Sequence, residues 1–326
     1  MATLVTTVTE TLRYRGKLGQ WSWVLHRISG LGTLLFLGLH VIDTSWAAFY
    51  PELYEDAIQQ YQSPLFTIGE FFLVACVVYH AYNGLRIILL DYRPEWWEHQ
   101  RRAANLVFLA TILTLIPTFL LMIGHVLDYY GEDPELATIE EVLTIQSQFA
   151  LGFAVIVIAA LVLSGLYGLI ARSKAGFRVP GRVESTLWWF MRFSGVLILP
   201  LVFGHLAIMH VIQGVFDITG SGTIIGTEVV NESGKAVEFV GARWDMQVAG
   251  VPIWRVYDGL LLALAVIHGF NGLRYVVNDY AHHPVLNRAL NWAILFGTIA
   301  LIVLGVAALL AGVDETAYRI AEESIR

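Results

Sequence analysis

Cysteine is almost absent from this sequence: Cys76 is the only one in 326 residues. That excludes an intrachain disulfide, and it excludes an iron–sulfur cluster ligated by this chain alone. Cys76 is expected to pack as a small hydrophobe in the second membrane helix. Charge is scarce as well. Only 14% of residues are Asp, Glu, Lys or Arg, against 56% hydrophobic, which is too apolar for a soluble domain of ordinary make-up. Lys and Arg are missing altogether from residues 50–63 and 128–146, where acids remain. Residues 1–20 are polar and include Arg13, Arg15 and Lys17, so no cleavable signal is expected there. No flavin-binding motif is recognisable, and no nucleic-acid partner is expected.

What is present is long hydrophobic runs. Seven segments exceed the roughly 20 residues needed to cross a bilayer as helix. They lie near 22–48, 65–90, 103–127, 147–171, 187–215, 254–278 and 290–312. With the N-terminus in the cytoplasm, fifteen of the twenty basic residues fall on the cytoplasmic side. They include Arg27, Arg86, Arg101, Arg102, Arg172, Arg192 and Arg274. Only Lys235, Arg243, Arg255, Arg319 and Arg326 fall outside. Basic residues favour the cytoplasmic side, so this asymmetry predicts a multi-pass protein of the cell (inner) membrane with its C-terminus on the outer side. Trp21, Trp23, Trp96, Trp97, Trp188 and Trp189 fall at the predicted inner interface, where amphipathic rings prefer to sit.

The chain also repeats itself. "HAYNGLRIILLDY", His80 to Tyr92, returns as "HGFNGLRYVVNDY", His268 to Tyr280. "HRISG" at 26–30 matches "MRFSG" at 191–195. Ser29 precedes His40 by the same eleven residues that separate Ser194 from His205. Helices 1–3 and 5–7 therefore read as two copies of a three-helix unit. Both copies carry basic residues at the same ends, so they must run in the same direction. One extra crossing is then required, and the span near 147–171 supplies it. The expected fold is an all-α membrane bundle of seven transmembrane helices, as two parallel three-helix repeats joined by a linker helix. Residues 1–21 form a cytoplasmic segment and 22–130 the first repeat. Residues 131–182 hold the outer loop, the linker helix and a basic loop. Residues 183–313 form the second repeat with its outer loop 216–253, and 314–326 a polar tail.

A histidine in hydrocarbon must satisfy two ring nitrogens. A hydrogen bond to a neighbouring helix does that for any single one. Four at repeated positions suggest more. His80 and His268 form one pair, and His40 and His205 a second pair towards the outer face. Facing imidazoles suit the two axial positions of a haem iron. Gly84 and Gly272 lie four residues after His80 and His268, on the same helix face. A missing side chain there would let a flat macrocycle pass, although close helix packing also uses small residues. Propionates need cations; Arg27, His26 and Arg192 lie at the inner end, with Arg86 and Arg274 as alternatives. His210 competes with His205, but five residues along an α-helix is a different face. His125 is expected to be structural, and His99, His282 and His283 solvated.

The "LHRISG" opening and the "HxxNGLR…D" that follows resemble the cytochrome b membrane-anchor subunits of succinate:quinone oxidoreductase, respiratory complex II. The first half resembles the larger anchor and the second half the smaller one, as if the two were fused in one chain. The resemblance implies a haem b bundle capped by a flavoprotein subunit and an iron–sulfur subunit, with electrons passing from the latter to membrane quinone, menaquinone or ubiquinone. It implies that His80 and His268 ligate the haem nearer the iron–sulfur subunit. Family members carry one haem or two; two are expected here, the outer one held by His40 and His205. It also implies a quinone site at the inner interface around Arg27 and Tyr280, with His26 and Asp279 beside them. The family's serine in that site falls on Trp23 here, with Ser22 adjacent, and one residue turns a helical side chain by about 100°. Tyr92 is expected to be an interface residue. Succinate chemistry would belong to partner subunits, and a higher oligomer of the complex stays open. The other readings are a quinol:fumarate reductase anchor, the dihaem anchor of a different dehydrogenase, and a haem-free scaffold or transporter.

Overall fold

The computed structural model describes residues 17–131 and 181–314, with isolated positions 158, 162, 166 and 319. The span expected near 147–171 and the basic loop after it lie outside the described residues, apart from those isolated positions and 181–182. The described helices are α1 (Leu18–Phe49), α2 (Pro51–Tyr61), α3 (Pro64–Tyr92), α4 (Gln100–Tyr130), α5 (Arg182–Leu206), α6 (Ala236–Asp245), α7 (Ile253–Tyr280) and α8 (Pro284–Ala311). A 3-10 turn, Pro94–His99, leads into α4, and a π-helical turn, Ala207–Ile212, extends α5. The only strands among the described residues, Gln247–Val248 and Val251–Pro252, pair as a minimal hairpin.

Among the described residues, six segments are long and apolar enough to cross a membrane: Leu18–Phe49, Phe66–Tyr92, Pro94–Tyr129, Arg182–Ile212, Ile253–Tyr280 and Pro284–Ala311. This is an all-helical membrane protein. On α4, Leu106, Leu109, Ile112, Leu113, Ile116 and Leu120 are all exposed at helical spacing. A continuous exposed apolar stripe is costly in water and neutral against lipid tails. Proline starts α2, α3 and α8, where its missing N–H would have no intrahelical partner anyway. Pro117 and Pro200 sit inside α4 and α5, as membrane helices tolerate.

Helices α1, α3, α5 and α7 make the centre of the bundle. Helix α4 flanks α3, and α8 packs on α7 and α1. Leu73, Val74, Val77, Met122 and Leu206 fill the space between α3, α4 and α5. Leu262, Val266 and Leu301 fill that between α7 and α8.

The polar stretch 216–253, in which the sequence shows no readable fold, builds a cap over one end of the bundle. Ile218, Ile224, Val237, Phe239 and Trp244 bury themselves with Tyr54 and Ile58 of α2 and Ala308 of α8. Glu55 of α2 closes the N-terminus of α6, accepting from Ala236 N–H at 3.2 Å and Val237 N–H at 2.8 Å. Burial pushes its carboxyl up from the usual range, and those two N–H bonds pull the other way. Arg243 is buried against the face of Trp254, 3.8 Å from the ring centre, and donates to Ile225 O at 3.0 Å. Gly226 permits this: its φ is +80°, and a Cβ there would lie 2.3 Å from Trp254.

Candidate functional site

The bundle collects its polar side chains at two levels. One lies at the arginine end, where α1 and α5 begin. The other lies under the cap.

At the arginine end, the His80 and His268 rings stand 6.5 Å apart, centre to centre, at 85°. His80 Nδ1 is 3.0 Å from His26 O; a carbonyl only accepts, so Nδ1 carries the proton. His268 Nδ1 is 2.9 Å from Ser194 Oγ. That hydroxyl spends its one proton on Phe190 O at 2.6 Å, so it accepts from His268. Both rings thus keep Nε2 as the lone-pair nitrogen. A ligating histidine almost always donates its other N–H to such a partner. Two imidazoles sharing one iron, with metal–nitrogen bonds of about 2.0–2.1 Å, have centres roughly 6 Å apart. The donor set fits b haem.

Matched positions make matched contacts. A Cβ on Gly30 would meet His80, and one on Gly195 would meet His268. Gly84 faces His26, and Gly272 faces Met191, the residue matching His26. Asn83 donates to Ser22 O at 3.5 Å and Asn271 to Leu187 O at 3.4 Å. The ion pairs are reciprocal. Arg27 pairs with Asp279, and Arg192 with Asp91 at 2.5 Å. Each arginine also lies over the tryptophan four residues earlier, Arg27 on Trp23 at 3.9 Å and Arg192 on Trp188 at 3.3 Å.

Tyr280 is 52% exposed, with its ring 5.8 Å from the Arg27 guanidinium. Arg27, Asp279, Trp23 and Tyr280 therefore form one cluster. Ser22 is apart from it. It is fully buried, donates to Asn83 Oδ1 at 2.7 Å, and lies 3.1 Å from Tyr79 Oη. His26 stacks on His80 with ring centres 4.0 Å apart. Several buried nitrogens here have no hydrogen-bond partner among the described residues: His26 Nδ1, Arg27 Nη1, Arg86 Nε and Nη1, and Arg192 Nε. Orphaned buried N–H groups are rare and expensive. A nest of them suits an anion with several oxygens, as two propionates would provide. Arg274, by contrast, is fully engaged by Glu184 and Asn271.

Under the cap, His40 and His205 lie 5.8 Å apart and His205 and His210 6.4 Å apart. An α-helix would turn His210 away from His205. The π-turn 207–212 prevents that: Gln213 N–H reaches back five residues to Ile208 O, and the wider turn returns His210 to the His205 side. His125 donates to Val211 O at 3.2 Å and faces Asp217 at 3.7 Å, a structural role.

A model of the succinate dehydrogenase/fumarate reductase transmembrane subunit family matches residues 6–121 and 172–309, more than half of the chain in two separate segments. This chain belongs to that family. The anchor is 35% identical over 135 residues to succinate dehydrogenase 2 membrane subunit SdhC of Mycobacterium tuberculosis, covering 40% of this chain and 99% of the relative. It is 28% identical over 106 residues to the succinate dehydrogenase hydrophobic membrane anchor subunit of Halobacterium salinarum, covering 31% and 81%. It is 31% identical over 70 residues to the anchor subunit so named in Archaeoglobus fulgidus, covering 22% and 60%. No solved structure matches. Two matched segments in one chain are what two fused anchor subunits give. The protein is a multi-pass membrane anchor subunit of a succinate dehydrogenase/fumarate reductase complex.

Sequence reasoning singled out the histidines, the arginines, Gly84 and Gly272. It missed Gly30 and Gly195 against the imidazoles, although both stand inside the quoted repeat. It also missed Glu70, which pairs with His210. An acid near the start of a long apolar run was the available signal.

Proposed function

We propose that this anchor holds b haem between its two halves and passes electrons from a partner iron–sulfur subunit to membrane quinone. The observation that carries the proposal is the His80–His268 pair: ring centres 6.5 Å apart, each Nδ1 committed to a neighbour, each Nε2 left as donor. When bound, b haem supplies a one-electron relay. The chain's own residues do the rest. Ser194 and the His26 carbonyl orient the ligands. Gly84 and Gly272 leave room for the macrocycle. His26, Arg27, Arg86 and Arg192 offer donors to its propionates. His40 and His205, by their place in the repeat, are the expected ligands of a second haem under the cap.

Arg27, Asp279, Trp23 and Tyr280 form the quinone site in this reading, and His26 borders it. The exposed Tyr280 hydroxyl can donate to a quinone carbonyl, and Arg27 stabilises charge that develops there on reduction. Ser22 holds α1 to α3 instead. The arginine end faces the cytoplasm, where the positive charge lies and where flavoprotein and iron–sulfur subunits dock. The two halves are parallel three-helix repeats, 22–130 and 183–313. The reciprocal Arg27–Asp279 and Arg192–Asp91 pairs support that arrangement.

Haem stoichiometry of the purified complex, with its reduced-minus-oxidised spectrum, tests the reading. His80→Ala and His268→Ala should each abolish the haem at the arginine end. A complex without low-spin b haem, or one that keeps that haem in either variant, would refute it. The same anchor serves a quinol:fumarate reductase, which a quinol-driven fumarate assay would reveal.

A further inference from the structure

Glu70 lies on α3 and His210 on the π-turn after α5, and the Glu70 carboxylate accepts from His210 Nδ1. Their side chains are only 12% and 14% exposed. A buried acid and imidazole inside a membrane span are expensive to keep, and π-turns gather at functional sites. Neither residue has a role in the site described so far. Two buried imidazoles show what a ligand looks like in this bundle. At the arginine end, His80 and His268 both have Nδ1–H fixed by an acceptor and Nε2 free. Under the cap, His210 has that same arrangement. His205 does not: its Nδ1 is buried without a partner among the described residues. His205 itself lies in the α-helical part of α5, and the π-turn that follows brings His210 to its side.

We infer that His210, positioned by Glu70, is the partner of His40 at the second iron, in place of His205. The inference rests on the two-haem reading above. A carboxylate on Nδ1–H fixes the tautomer and ring direction and raises the basicity of Nε2, which favours the ferric state. Glu70 is a positioning residue; it acts through His210.

The test uses the intact complex, with pyridine haemochrome counts and redox titration of the haem bands. Wild type should carry two haems. His210→Ala should carry one, and His205→Ala two. His210→Met guards against simple misfolding, since methionine can still ligate iron and raises its potential. It should keep two haems with one potential raised, whereas His205→Met leaves both potentials unchanged. Glu70→Gln should keep two haems and raise the potential of one, because the amide accepts the hydrogen bond without the charge. Loss of a haem in His205→Ala, or two haems in His210→Ala, overturns the ligand assignment. An unshifted potential in Glu70→Gln overturns the role of Glu70. A single haem in wild type overturns the two-haem reading itself, before any variant is made.

Discussion

Gly30→Ala should damage this protein in a way that Gly84→Ala does not. A Cβ on Gly30 would lie 2.7 Å from His80 Cε1 and 3.0 Å from Nδ1. The ring would have to withdraw by most of an ångström to reach ordinary contact. His26 is stacked on it at 4.0 Å, which blocks retreat on that side. The 3.0 Å bond from Nδ1 to His26 O would lengthen or break. Overpacking of this kind costs about 1–3 kcal/mol, and the lost hydrogen bond adds about 0.5–1.5 kcal/mol. The expected destabilisation is therefore about 2–4 kcal/mol, together with loss of the haem at the arginine end. A Cβ on Gly84 would meet only His26 Cε1, at an ordinary 3.6 Å. Alanine also favours helix over glycine by up to about 1 kcal/mol. Gly84→Ala should keep or raise stability and lose haem alone, because the macrocycle needs that face. Thermal unfolding and haem content of both variants in the assembled complex separate the two effects. Wild-type stability and haem content in Gly30→Ala would refute the packing argument. Full haem content in Gly84→Ala would show that the macrocycle runs elsewhere.

Three further outcomes are expected. Arg86→Gln should lower the potential of the haem at the arginine end by an amount on the order of tens of millivolts, because it removes a nearby positive charge; Arg274→Gln, whose arginine is already committed to Glu184, should shift it less, and redox titration compares them. Double-mutant cycles on stability should give a larger coupling for Arg192–Asp91, whose side chains are 25% and 26% exposed, than for Arg27–Asp279, where the acid is 52% exposed. The second pair should couple by no more than about 1 kcal/mol, and equal couplings would contradict the burial difference. Burial raises the Glu55 carboxyl, so its folded form holds a proton more tightly than its unfolded form. Its contribution to the cap is full below the unfolded value and is lost as pH rises through the folded one. Hydrogen exchange at Ala236 and Val237 should therefore quicken with pH beyond the intrinsic rate, and Glu55→Gln should flatten that excess.

The sequence made the bundle legible because each span is a long apolar run, and period alone suffices for helices in lipid. It made the histidines legible because duplication removes coincidence: one buried imidazole is ordinary, but the same one twice with the same neighbours is not. Three features were hidden for physical reasons. The π-turn at 207–212 leaves no mark in hydrophobic pattern, so counting 100° per residue put His210 on the wrong face. The glycines that press on His80 and His268 belong to α1 and α5, the neighbouring helices. An i,i+4 argument along the ligand's own helix could find only Gly84 and Gly272. The cap of residues 216–245 depends on Glu55, Tyr54 and Ile58 from far upstream, and no local window contains both sides of that contact.

The reciprocal ion pairs bear on how two such units stay in register. Apolar faces slide past each other in lipid at little cost, because hydrocarbon packs against leucine as well as leucine does. A charged pair does not slide, since each partner separated inside the membrane boundary must be solvated again. Arg27 of one half fixes Asp279 of the other, and Arg192 fixes Asp91 in return. Two fixed points on opposite sides of the interface set both the depth and the rotation of one half against the other. The His80–His268 pair lies deeper in the bundle, on the two helices that carry those acids. Shared iron would require the separation of the two rings to hold within a few tenths of an ångström, and Asn83 and Asn271 tie each half internally at the matching positions. If the pairs serve register, neutralising both acids together, Asp91→Asn with Asp279→Asn, should lower haem affinity by more than the product of the single effects. Strictly multiplicative single effects would mean that the ligands are held by packing alone.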